Sequence, residues 1–274
     1  MIKIKLNSYF DLDSTISCGQ IFRYTKDNDI YTIVLKDRVI SVYKDNDYLI
    51  VDSNKYDNLE YVVKDYFDLN YDYDSIYNIL NKYDNFADIV EFNKGMKIIN
   101  QDPFECLISY IISQNNRVAS ITNSLNLLAR KYGERMIFNN KDYYLFPPIN
   151  KLINLSKEDF KECKVGFRDI YLCSTIKRIN DNLCNLNEIE NMSSDEAIKY
   201  LMLNKGIGLK VASCILLFSY HRFDVFPIDT WVLKYCKENF GLKNKNQISE
   251  YFNSKYKQYC GIAIQYIFNY NRNK

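Results

Sequence analysis

Apolar and polar positions change period along the chain. Residues 2–6 alternate, with Ile2, Ile4 and Leu6 set against Lys3 and Lys5. Short runs rich in β-branched and aromatic residues follow at 21–25, 30–35, 39–43 and 48–51. Both patterns predict strands. The connectors Lys26-Asp27-Asn28-Asp29 and Lys44-Asp45-Asn46-Asp47 have turn chemistry. Links this short favour an antiparallel meander. From Asn58 the spacing becomes helical, with Leu59, Val62, Val63, Tyr66 and Phe67 on one side. Beyond residue 94 helices dominate. Asp102 and Pro103 form a good helix start, an N-cap followed by proline at the first helical position. The run after them is almost wholly apolar, so that helix is expected to be buried. Ser113-Gln114-Asn115-Asn116-Arg117 is a polar break before a helix over 118–132. Further helices are expected over 157–163, 169–182, from Ser193–Glu196 to near Leu203, after Gly208 as an apolar helix with Lys210 near its start, and over 230–240, 247–256 and 261–270. The predicted class is therefore α+β: a small N-terminal antiparallel β-sheet domain with flanking helices, residues 1–93, followed by a mainly α-helical body, residues 94–274.

Composition narrows the setting. Apolar residues make up 47% and charged residues 26% of 274 positions, as in soluble globular proteins. No apolar run approaches the ~18–20 residues of a membrane span. The N-terminus lacks the long apolar segment and small-residue cleavage site of a signal peptide, so a cytoplasmic location is expected. The eight cysteines are scattered with no CxxC, and His221 is the one histidine. Reduced, buried thiols are expected, with no metal site and no cofactor. The net charge of +2 is uneven: residues 1–92 hold 10 basic and 17 acidic side chains, and residues 93–274 hold 26 and 17. The C-terminal part is the candidate polyanion surface. No protein partner is indicated, and a monomer is expected.

The stretch from Leu203 to Asp229 carries the candidate chemistry. Gly206-Ile207-Gly208 is a tight turn between two helical patterns. Glycines there leave amide N–H groups free at a helix N-terminus, which holds anions such as phosphate. Lys210 falls in the first turn of the second helix, where the helix dipole favours anions. An ammonium so placed, followed by an apolar run, is a candidate for a depressed pKa and nucleophilic use. Spacing alone also allows plain punctuation, one ordinary lysine and an Asp229 that only caps the next helix.

Three motifs together decide between these readings. Leu203-x-x-Gly206-Ile207-Gly208-x-Lys210-Val211-Ala212 with Pro227-Ile228-Asp229 resembles the helix-hairpin-helix and Gly/Pro–Asp signature of base-excision DNA glycosylases. Gln101-Asp102-Pro103-Phe104-Glu105-Cys106 with Ser113-Gln114-Asn115-Asn116 resembles a second signature, that of the 8-oxoguanine DNA glycosylase/AP lyase branch. Gly19-Gln20-x-Phe22 matches a third. They occur in the family's order over most of the chain and look most like the bacterial members. The resemblance implies a hairpin at about 195–220 and duplex DNA containing an oxidised purine as partner. It implies a bifunctional enzyme that removes 8-oxoguanine and nicks the strand by β-elimination.

Carried over by position, Lys210 would attack C1′ and Asp229 would stabilise the charge developing at the sugar. Phe268 would stack on the extruded base, Cys214 would face its other side, and Pro227 would line the pocket. The Gly19 carbonyl would accept from N7–H, a proton that guanine lacks. Asn115 would fill the gap in the duplex, Phe167 would wedge it, and Arg168 would read the orphaned cytosine. Gly206 and Gly208 would hold a backbone phosphate. Three positions depart from the pattern. An expected arginine falls on Ser120, and Phe167 replaces a tyrosine. The glutamine that reads the Watson–Crick edge falls on Ile264, with Gln265 one residue later. One residue turns a helix by ~100°, so Gln265 is expected to point away. Two alternatives stay open: another glycosylase of the superfamily, acting on alkylated or mismatched bases, and a non-catalytic hairpin protein that binds DNA.

Overall fold

The computed structural model describes residues 1–83 and 86–274. Five strands, β1 (Ile2–Lys5), β2 (Tyr24–Asp27), β3 (Ile30–Val34), β4 (Val39–Asp45) and β5 (Tyr48–Ser53), form one antiparallel sheet in the order β1-β5-β4-β3-β2. Strands β2 to β5 are the expected meander, and β1 closes on its far edge, Ile2 opposite Val51. The two-residue turns rest on Asn28 and Asn46, at φ 52° and 51°. Asparagine tolerates this left-handed region better than most residues. One face of the sheet buries Ile4, Tyr31, Ile33, Ile40, Val42, Leu49 and Val51. Helices α1 (Leu12–Ser17) and α2 (Leu59–Tyr66) cover that core with Leu12, Ile16, Leu59 and Val63.

The remaining helices enclose a second core. In chain order they are α3 (Tyr73–Leu80), α4 (Ala87–Phe92), α5 (Pro103–Ser113), α6 (Val118–Tyr132), α7 (Ile149–Leu152), α8 (Lys157–Glu162), α9 (Asp169–Asn180), α10 (Ser194–Met202), α11 (Leu209–Ser219), α12 (Thr230–Phe240), α13 (Lys245–Tyr256) and α14 (Cys260–Asn273). A hairpin, β6 (Arg135–Phe138) and β7 (Lys141–Tyr144), follows α6. Helices α5, α11 and α14 are buried on almost every side. That is why their sequences show apolar runs in place of a polar face. Asp102 caps α5 from its carboxylate to the amides of Phe104 and Glu105, both at 3.1 Å, with Pro103 in the first turn. Tyr73, Ile76 and Leu80 of α3 and Ile89 and Val90 of α4 belong to this second core, although they precede residue 93. Among the described residues no helix is long and apolar enough to cross a membrane. All eight cysteines are free thiols, and all but Cys173 are buried.

Three departures from the sequence reading have local causes. Strand β2 begins at Tyr24, not Ile21, because Ile21 and Phe22 cross between the cores: Ile21 packs in the first and Phe22 in the second. Helix α1 is too short for a periodic signal, and Asp11 starts it by accepting from the Ser14 amide at 2.9 Å. The β6–β7 turn is Asn139-Asn140, at φ 50° and 57°. Positive φ at both central residues is the type I′ hairpin requirement.

Gln20 joins the two halves. Its side chain is fully buried. Nε2 donates to the carbonyls of Thr15 (3.0 Å) and Lys97 (2.7 Å), while Oε1 accepts from the Ile99 amide at 2.9 Å. Beside it, Arg23 pairs with Glu105 at 2.7 Å, and Lys36 reaches Asp102 at 2.9 Å. Gln20→Leu keeps the volume but strands the Lys97 carbonyl and the Ile99 amide and leaves the Thr15 carbonyl only the weak Cys18 thiol donor at 3.4 Å. Stranding such groups costs about 1–3 kcal/mol each before relaxation, so thermal or urea unfolding is expected to show a loss of roughly 2–4 kcal/mol.

Candidate active site and nucleic-acid surface

The hairpin is α10, the turn 203–208 and α11. Ser193 opens α10 with a capping box to Glu196. Gly206 sits at φ +86°, and a Cβ there would stand 2.5 Å from the Tyr171 ring, so both conformation and space call for glycine. Gly208 is the N-cap of α11 at φ −101°, with nothing within 4 Å of an added Cβ. Its glycine leaves the first-turn amides of α11 open to a ligand rather than meeting a backbone requirement.

Lys210 is the second residue of α11, and Cys214 lies one turn further on the same face. Both line a cavity of about 410 Å³ together with Gly19, Phe22, Tyr110, Pro227, Asp229, Trp231, Gln265, Phe268 and Arg272. The sequence-predicted Lys210, Asp229, Cys214, Pro227, Phe268 and Gly19 are thus brought together from segments up to 249 residues apart. Lys210 Nζ sits 5.4 Å from the centre of the Tyr110 ring, and Lys210 is in no ion pair among the described residues. Burial raises the Cys214 thiol above its ordinary value, and the neighbouring Lys210 offsets this only in part. Cys214 is therefore a neutral wall and not a thiolate nucleophile. Asp229 caps α12, Oδ1 accepting from the Val232 amide at 2.9 Å. That bond fixes the carboxylate at the cavity while leaving its other oxygen outside the cap.

Tyr110, which the sequence reading passed over, forms the floor. It stacks on Phe218, with ring centres 5.5 Å apart. Its hydroxyl lies 3.3 Å from the Gly19 carbonyl and 3.2 Å from that of Gln20. Burial keeps this phenol neutral, so it acts as a donor. The one available signal was an aromatic hydroxyl within the mostly apolar run of α5.

Helix α14 corrects one expectation. Ile264 is fully buried and lies outside the cavity, whereas Gln265 lines it and donates from Nε2 to the Cys18 carbonyl at 3.2 Å. The cavity-facing stripe is Gln265, Phe268 and Arg272, at i, i+3 and i+7. Counting four back from Phe268 gives Ile264 and counting three back gives Gln265. Either can share the face of Phe268, and packing against the second core takes the isoleucine.

The outer surface carries the other predicted residues. Asn115 is exposed at φ 48°, at the end of α5, and Phe167 is 54% exposed. Ser120 is exposed on α6. Arg168 is different: it is buried, and its guanidinium donates to the carbonyls of Gln114 (2.8 Å), Asn115 (2.9 Å) and Val165 (3.0 Å). In this structure it clasps the Asn115 loop to the Phe167 turn and does not reach outward as a base reader would. Phe167 meets Tyr171 edge to face, with ring centres 6.1 Å apart, and Tyr171 is the ring against Gly206. Asn115, Phe167 and the hairpin thus form one linked surface beside the cavity.

A larger cavity, about 1060 Å³, lies against Phe104, Phe146 and Pro147. Three of its carboxylates are already paired: Asp102 with Lys36, Asp37 with Lys55, and Glu105 with Arg23. Most of its charge is neutralised internally, Glu134 being the lining carboxylate without an ion pair among the described residues, and it holds no unpaired lysine beside a carboxylate comparable to Lys210 and Asp229.

Known proteins share this architecture. Residues 1–107 match the family model of the 8-oxoguanine DNA glycosylase N-terminal domain. The apo-form crystal structure of Clostridium acetobutylicum 8-oxoguanine glycosylase/lyase superposes with a TM-score of 0.93 at 33% identity, covering 98% of this chain and 95% of that one. The Arabidopsis thaliana N-glycosylase/DNA lyase OGG1 is 27% identical over 281 residues, which span 94% of this chain and 76% of that protein. A probable N-glycosylase/DNA lyase of Methanothermobacter thermautotrophicus is 27% identical over 79% of this chain and 74% of its own length. The chain belongs to the 8-oxoguanine DNA glycosylase/lyase family.

Arg168→Met strands three carbonyls at one end of the surface. It is expected to cost roughly 2–4 kcal/mol in thermal unfolding and to weaken duplex binding by releasing the Asn115 loop. Arg168→Lys is expected to recover little of this, because one ammonium cannot reproduce the fork.

Proposed function

We propose that this chain is a bifunctional base-excision repair enzyme of the cytosol that removes 8-oxoguanine from duplex DNA and then nicks the strand, with Lys210 as nucleophile. The observation that carries this reading is that Lys210, Asp229, Cys214, Phe268 and Gly19 line one cavity.

The damaged base must leave the stack to reach that cavity. Extruded, it would lie between Phe268 and Cys214, with its N7–H toward the Gly19 carbonyl. Guanine has no proton at N7, so it would leave that carbonyl without its partner, at a cost of about 1–3 kcal/mol. The neutral amine of Lys210 attacks C1′ as the glycosidic bond breaks, and the base departs with the bonding electrons. The added amine gives a proton to the departing base, and the C1′–O4′ ring bond then opens with O4′ taking up a proton. The resulting protonated Schiff base acidifies C2′–H, whose loss expels the 3′ oxygen. Asp229 lowers the barrier by opposing positive charge at the sugar. Asn115 and Phe167 occupy the gap in the duplex, and the amides of Gly206 and Gly208 hold a phosphate of the extruded strand, that of Ile207 being bonded to the Asn204 carbonyl. With Ser120 where an arginine is expected, and Arg168 committed to carbonyls, preference for cytosine opposite the lesion is relaxed.

A duplex with one 8-oxoguanine opposite cytosine, incubated with borohydride, is expected to give a covalent adduct with the native protein and none with Lys210→Gln. Asp229→Asn separates charge from capping. Asparagine caps as well as aspartate, so stability should change by about 0.5 kcal/mol or less, while excision slows by roughly 10²–10³. Tight duplex binding with neither adduct nor released base would overturn the proposal in favour of a non-catalytic DNA-binding protein.

A further inference from the structure

We propose that Arg272 is a specificity-determining residue that donates to a carbonyl oxygen flanking N7–H of the extruded purine, and so reads that edge together with the Gly19 carbonyl. This rests on the placement of the lesion given above.

Arg272 ends the cavity-facing stripe of α14, one turn beyond Phe268. Its Nη1 stands 3.0 Å from the point a Cβ on Gly19 would occupy, and Phe268 Cε1 stands 3.3 Å from that same point. Guanidinium, stacking ring and the Gly19 backbone, whose carbonyl keeps one lone pair beyond the Tyr110 hydroxyl, therefore meet at one corner of the cavity. The other arginines near a carboxylate or a free carbonyl are engaged: Arg23 with Glu105, Arg38 with Asp37, Arg135 with Asp142, Arg168 with three carbonyls, Arg178 with Asn204 and Leu183, and Arg222 with Glu190 and Met192. Arg272 has no hydrogen bond and no ion pair among the described residues, although it lines a cavity.

The chemistry of the ligand edge matches. Beyond N7, 8-oxoguanine shows O6 on one side and O8 on the other, an acceptor–donor–acceptor row. Its complement is a donor next to an acceptor, which Arg272 and Gly19 O supply side by side. The planar fork suits carbonyl recognition. Gly19 is also required for space: at φ +87° a side chain would be strained, and its Cβ would press on both Arg272 and Phe268. The structural alternative is that Arg272 only complements the C-terminal end of the α14 dipole.

The test uses full-length Arg272→Gln and Arg272→Lys on two duplexes, one with 8-oxoguanine opposite cytosine and one with a preformed abasic site. Arg272 is exposed, so both variants are expected to fold. Single-turnover base excision is expected to fall about ten- to hundredfold in Arg272→Gln, the size of one charge-assisted hydrogen bond. Nicking of the abasic duplex, which holds no base, is expected to stay within about twofold, and Arg272→Lys is expected to be intermediate. Equal losses on both duplexes would overturn the proposal and make Arg272 a phosphate contact. No loss on either would reduce it to a helix-terminal charge. A native protein that releases no base at all would instead sink the functional reading beneath it. A third duplex with 8-oxoadenine, which keeps O8 but carries an amine at position 6, identifies the oxygen. An undiminished Arg272→Gln penalty there assigns O8, and a vanished penalty assigns O6.

Discussion

Three successive carbonyls, those of Cys18, Gly19 and Gln20, must be held still for the cavity to exist. They lie between α1 and β2, just before Ile21 and Phe22 pass from one core to the other. Each is pinned from the helical side. Gln265 donates to Cys18 O, the Tyr110 hydroxyl lies between Gly19 O and Gln20 O, and Gln101 Nε2 donates to Gln20 O at 2.9 Å. The buried amide of Gln20 then fixes the crossing to Thr15, Lys97 and Ile99. Buried backbone groups left unpaired are costly, so this network specifies one position for Gly19 and resists others. The proposed discrimination between a base with N7–H and one without requires that rigidity, since a carbonyl free to turn away would lose nothing when the proton is missing.

The same economy runs through the helical body. Helix α11 is apolar enough to be buried along its length, yet it places Lys210 and Cys214 on the one face that opens to the cavity. Asp229 satisfies a helix-capping requirement and presents a carboxylate to the same space. Arg168 spends its guanidinium on the carbonyls of Gln114, Asn115 and Val165, and thereby links the Asn115 loop to the Phe167 turn. Residues that hold the architecture are thus also those that set the active groups. Substitutions at Gln20 or Arg168 therefore act on stability and function together.

Legibility in the sequence followed the range of the interactions. The hairpin glycines, Lys210, Cys214 and Asp229 lie within about 25 residues and could be read as a unit. Strands β3 to β5 and most helices were legible because period and caps are local signals. The crossing at Ile21–Phe22 was not: an apolar pair that belongs to two cores looks like the start of a strand. Tyr110 and Arg272 were missed because their importance comes from contacts with Gly19, 91 and 253 positions away. Spacing along α14 narrowed the glutamine position to Ile264 or Gln265, and only tertiary packing decided that the isoleucine faces the core.

The central claim is that a base reaches the cavity bounded by Phe268, Cys214 and Gly19. It is tested most directly by a crystal structure of Lys210→Gln bound to a duplex with 8-oxoguanine. The expected result is the lesion extruded between Phe268 and Cys214, with N7 at hydrogen-bonding distance from the Gly19 carbonyl, about 2.7–3.2 Å. A lesion that stays stacked in the duplex, or an extruded base seated in the larger cavity beside Phe146, would contradict it.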